Sequence, residues 1–125
     1  QEEFFHTFYT LFQAQRQIVI TSDRPPREME RLERRLVSRF AAGVVVDIQP
    51  PDLETRIAIL QRAIKNIADI KPPDDAIAAL AERLPSNVRE LKGALSQLLA
   101  MARIGGGADS EADWMRMADS VLERR

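Results

Sequence analysis

The chain has 125 residues, 45% of them hydrophobic and 30% charged, which supplies the core of one globular domain or two small lobes. Its 18 basic and 19 acidic residues leave a formal net charge of -1, excluding a uniformly basic nucleic-acid sheath, and the lack of cysteine excludes disulfides, thiolate metal sites and cysteine nucleophiles. No apolar run approaches the roughly 20 residues of a membrane-spanning helix, and Gln1-Glu2-Glu3 opens no signal peptide, so the chain reads as cytoplasmic and as a piece of a longer protein.

From Glu2 the residues Phe4, Phe5, Phe8, Leu11 and Phe12 recur at helical spacing, and the spacing predicts a helix that packs on something large, its first turn favoured by Glu2 and Glu3. Gln17 to Thr21 holds Ile18-Val19-Ile20, a β-branched run of the kind buried in a parallel sheet, and it stops at a turn through Ser22, Asp23, Arg24, Pro25 and Pro26. Met29, Leu32, Leu36 and Phe40 then predict a helical connection to a second β-branched run, Val44-Val45-Val46, ending near Ile48. The unit reads strand, helix, strand.

Pro50-Pro51 closes that run, and Asp52 offers a cap to a helix with the stripe Leu53, Ile57, Leu60, Ile64 and Ile67. After Pro72-Pro73, Asp74 offers a second cap to a helix burying Ile77, Leu80 and Leu84. Ser86 precedes a third helix, with Val88, Leu91, Leu95 and Leu98 facing inward. Gly105-Gly106-Gly107 breaks the chain, and Ser110 with Asp113 predicts a capping-box start to a last helix bearing Trp114, Met117 and Val121. The expected fold class is therefore α/β: residues 1–50 give part of a parallel sheet, two strands with helices, and residues 51–125 an all-α lobe of four helices.

Three constellations can carry chemistry. Asp23 stands at the C-terminal end of an expected parallel strand, where open α/β sheets place ligand contacts; as an isolated feature it is a turn residue. Arg35 and Arg39, four apart, project from one helix face and can serve a neighbour's polyphosphate with planar donor forks, the plain alternative being a solvated face paired with Glu28, Glu30 and Glu33. Arg89 opens a helix next to exposed amide donors, a combination that suits an anion. Gly93, in mid-helix, suits close packing. His6 has no second histidine or cysteine for a metal site and reads as a surface residue. No phosphate loop ending in Lys-Ser or Lys-Thr occurs, so the chain alone holds no complete nucleotide site.

The stretches Gln1-Glu2-Glu3-Phe4-Phe5-His6-Thr7-Phe8, Ile20-Thr21-Ser22-Asp23-Arg24-Pro25-Pro26, Asp47-Ile48-Gln49-Pro50-Pro51-Asp52-Leu53-Glu54-Thr55-Arg56-Ile57-Ala58-Ile59-Leu60 and Ser86-Asn87-Val88-Arg89-Glu90-Leu91 resemble the DnaA family of replication initiators, over roughly Gln1 to Ala102. The resemblance implies an AAA+ module: 1–50 the C-terminal part of its P-loop-type core, 51–125 its helical lid. It implies that Asp23 is sensor 1, Arg39 an arginine finger acting in trans, Arg35 an interface arginine near ATP, and Arg89 sensor 2. It further implies ATP or ADP with Mg2+ as cofactor of the full-length protein and weak ATPase activity there, neither expected of this chain alone. Implied partners are other copies in a head-to-tail filament, origin DNA bound through the full-length protein, and replication regulators. Tyr9, Gln13-Ala14-Gln15 and Ala41-Ala42 depart from the usual family residues, and Gly105 to Arg125 matches poorly. An alternative is a related regulatory AAA+ protein that acts on a partner's bound nucleotide. An incomplete parallel sheet also leaves an edge unpaired, so the isolated chain is expected to be unstable.

Overall fold

A computed structural model describes residues 2–67, 69–105 and 110–125. They form six α-helices, α1 (Glu2–Gln13), α2 (Arg34–Ala42), α3 (Leu53–Lys65), α4 (Asp74–Arg83), α5 (Val88–Ile104) and α6 (Glu111–Glu123), with a 3-10 turn at Pro26–Glu28. The chain divides into two compact units, Gln1–Ile48 and Gln49–Arg125.

In the first unit α1 and α2 meet through aromatic rings. Phe40 of α2 receives Phe4 and Phe8 of α1 edge-on, at ring-centroid distances of 6.2 and 5.2 Å. Phe8 and Leu36 are buried, whereas Phe4, Leu11 and Phe12 of the expected stripe remain exposed. The carbonyls of Leu11 and Phe12 accept from the amides of Arg16 and Gln15, which closes α1 in a Schellman arrangement. That closure places Gln15 at φ 56, the left-handed region where glycine would sit without strain.

The expected parallel sheet is absent: the described residues are all helical or irregular and contain no strand. Residues 17–21 and 44–48 fall outside regular structure, and Val19, Val44 and Ile48 are 81%, 94% and 83% exposed. A β-branched run reports a local preference for extended backbone, but a strand exists only when a neighbour completes its hydrogen-bond ladder. Neither run meets one here. The connecting helix is also shorter than the spacing of Met29 to Phe40 suggests. Pro26 starts a 3-10 turn, Glu33 is extended, and regular helix begins only at Arg34.

The second unit matches its hydrophobic pattern closely. Leu60, Ile77, Leu80, Leu84, Leu91, Leu95, Leu98, Trp114 and Val121 join one core drawn from all four helices, while Leu53, at the start of the α3 stripe, is exposed. Asp52 caps α3 by accepting from the Thr55 amide at 2.8 Å, and Ser110 caps α6 by accepting from the Asp113 amide at 3.2 Å. Asp74 does not cap α4. Pro72-Pro73 holds the chain extended up to Pro73, so Pro73 occupies the cap position and Asp74 is already helical. The cap of α5 is Asn87, whose side chain accepts from the amides of Arg89 and Glu90. Gly105 ends α5, its amide donating to the Met101 carbonyl; Gly106 and Gly107 lie outside the described residues.

Candidate functional site

The two arginines of α2 stand one turn apart and face α1. The Arg35 guanidinium lies 3.5 Å above the centroid of the Phe5 ring and donates to Glu33 at 2.6 Å. Arg39 donates to the Tyr9 hydroxyl at 3.1 Å, with its guanidinium carbon 5.4 Å from the Tyr9 centroid and 4.9 Å from that of Phe12. Both arginines are exposed, and the Arg35–Glu33 pair is solvated on both sides, so that ion pair contributes little to stability. Of the three carboxylates that the sequence offered as neutralising neighbours, Glu33 engages Arg35. Arg39 is held by rings and a hydroxyl instead, and its full charge stays available.

A guanidinium has five N–H donors, and one hydrogen bond to Tyr9 leaves most of the Arg39 fork open. A cation resting on aromatic faces stays poorly solvated on one side and fully charged, which suits contact with a phosphate oxyanion. Tyr9 and Phe12 are the contributors that sequence reasoning missed as site residues. Phe5 and Phe12 read as core by spacing, yet each presents a face to an arginine. The available signal was the matching period: Phe5, Tyr9 and Phe12 follow at steps of four and three on α1, as Arg35 and Arg39 follow at four on α2.

Asp23 is exposed at a turn in which Ser22 Oγ accepts from the Arg24 amide at 3.1 Å. It lines an open depression of about 590 Å³ shared with Arg24, Met29 and Leu32. Nothing ties Asp23 to Arg35 or Arg39. Arg89 belongs to the second unit, in the first turn of α5; its amide is occupied by Asn87 and its side chain is exposed. Each unit by itself offers donors suited to a phosphate: guanidinium forks on α2 in the first, and an arginine in the first turn of α5 in the second. Among the described residues no three His, Cys, Asp or Glu side chains gather to hold a metal ion.

Residues 1–47 match the family model described as the bacterial DnaA ATPase domain. The chromosomal replication initiator protein DnaA of Caldanaerobacter subterraneus subsp. tengcongensis is 54% identical over 104 residues, 83% of this chain and 23% of that protein. Its counterpart from Thermus thermophilus is 51% identical over 106 residues, 85% of this chain and 24% of that protein. The crystal structure of domain III from the Thermotoga maritima replication initiation protein DnaA superposes with a TM-score of 0.81 at 34% identity, covering 98% of this chain and 50% of that one. The chain thus spans about a quarter of the length of the curated relatives it matches.

Proposed function

Because the chain belongs to the DnaA family, we propose that it is the part of the ATPase domain that senses nucleotide and couples it to assembly of a chromosomal replication initiator on origin DNA. In this reading Arg39 is the arginine finger that reaches the nucleotide of the adjoining subunit, and Arg35 is an interface arginine beside it. Asp23 acts as sensor 1, and Arg89 as sensor 2 on the lid formed by residues 51–125. ATP with Mg2+ would be held chiefly by residues outside this chain and would supply the phosphate charge to be sensed. The observation that supports the reading best is the pair of exposed guanidinium groups on α2, one of them without a carboxylate partner among the described residues.

The chemistry asked of these residues is electrostatic. Arg39 presents a permanent positive charge and a planar fork, and it does so from a helix face accessible to a second molecule. A finger supplied in trans makes affinity between subunits depend on the nucleotide, while leaving each subunit's own nucleotide affinity largely intact. The test uses the full-length protein with Arg39→Ala and, separately, Arg89→Ala, scored for ATP affinity and for oligomers on origin DNA. Arg39→Ala is expected to retain ATP binding and lose ATP-dependent assembly. Assembly of both variants at the parental level would overturn the assigned arginine roles.

A further inference from the structure

The aromatic row of α1 steps in register with the arginines of α2. Phe5 lies under Arg35, and four residues on Tyr9 meets Arg39, one turn along each helix. Phe12, a further turn along the same face of α1, has its ring centroid 4.9 Å from the Arg39 guanidinium carbon. The rings also brace one another: Phe5 and Tyr9 are 5.2 Å apart between centroids, and Phe8 stacks on Phe12 at 6.1 Å while packing edge-on against Phe40. Arg39 thereby rests against rings that each contact another ring of α1.

We propose that Tyr9 and Phe12 are positioning residues for Arg39, and that Phe5 plays the same part for Arg35, so that α1 sets the direction in which the two guanidinium groups meet a nucleotide phosphate held by a second copy of the full-length protein. This rests on the finger reading of Arg39. A free arginine side chain samples many rotamers, and that freedom is lost when it engages an anion. The Tyr9 hydroxyl and two ring faces remove much of it beforehand, and they do so without neutralising the charge, as a carboxylate partner would. Tyr9 serves through both of its parts: the hydroxyl accepts one N–H, and the ring faces the cation.

The experiment compares Tyr9→Phe and Tyr9→Ala in the full-length protein, each with Arg39 intact and in an Arg39→Lys background, with Glu3→Gln on another face of α1 as control. ATP affinity of the unassembled subunit and the protein concentration for half-maximal ATP-dependent assembly are both measured. Tyr9→Phe is expected to raise the half-assembly concentration about threefold and Tyr9→Ala about tenfold, ATP affinity staying unchanged. Both effects should shrink in the Arg39→Lys background, because a lysine does not fill the planar seat. Tyr9 variants that assemble like the parent while Arg39→Lys is impaired would overturn the positioning role and leave the finger reading standing. Equal losses in both backgrounds would make Tyr9 merely structural and also overturn it. Unimpaired assembly of Arg39→Lys and Arg39→Ala alike would remove the finger reading and this inference with it.

Discussion

Arg56 illustrates how far one side chain in the second unit departs from what spacing foretells. Its guanidinium donates to the Ala81 carbonyl at 2.7 Å and to the Pro51 carbonyl at 2.9 Å, tying the start of α3 to the end of α4. The Ala81 carbonyl is one of the last of α4 and has no helical partner, and the Pro51 carbonyl lies just before the cap of α3, so removing the donor strands both in a partly buried place. Arg56→Ala should cost about 2 kcal/mol, read as a lower midpoint in denaturant unfolding of the chain. A change within error would show that water replaces the guanidinium at no cost. Arg56 falls inside a segment that resembles the family, yet its role is not legible there, because carbonyl partners 5 and 25 residues away leave no mark in a periodic pattern. Asp52 and Ser110 were legible as caps because a cap needs only the local chain, and Asp74 failed because the prolines before it moved the helix start by one residue. Arg35 and Arg39 could be placed on one helix face in advance. Tyr9 could not be named as their support, since only the packing of α1 on α2 brings it there.

At the scale of elements, the four helices of the second unit follow their stripes and caps, while the two β-branched runs of the first do not become strands. The difference is physical. A helix satisfies its own backbone, so its sequence contains most of its instructions, whereas a strand depends on partners that its sequence does not contain. Helix ends also carry electrostatics that local reading overlooks. Glu111, in the first turn of α6, should benefit from the positive helix end, yet its carboxyl is held above its ordinary 4.5 because it shares a hydrogen bond with Asp75 of α4 and feels its charge. The folded state therefore binds that proton more tightly than the unfolded chain. Stability is penalised in full above the raised value and recovers as the pH falls through it toward 4.5. Asp52 has the opposite sign: its bonds from Thr55, side chain and backbone, hold it below 3.8, so its contribution is complete above that value and is lost as the pH falls through the lowered one. Glu111→Gln should accordingly raise the melting temperature at neutral pH, with the gain fading as the pH approaches 4.5. A gain that is independent of pH would refute the coupling with Asp75.

For the molecule as a whole, membership of the DnaA family was legible from four ordered segments, and the relatives and the domain III structure bear it out. The α/β class inferred from the same stretch does not hold for this chain, whose described residues form helices alone. No described helix is long and apolar enough to cross a membrane. As the proposed finger, Arg39 would act across a subunit boundary, which has a geometric consequence that a residue acting within its own subunit lacks. A head-to-tail contact is made of two different surfaces, so a subunit with a dead finger keeps one competent surface and loses the other. The most direct measurement titrates full-length Arg39→Ala into the parent protein with ATP present and follows the length of the assemblies by sedimentation. The variant is expected to join at one surface and stop growth, shortening assemblies well before it is in excess. Assemblies whose length is unchanged as the variant is incorporated throughout would contradict it.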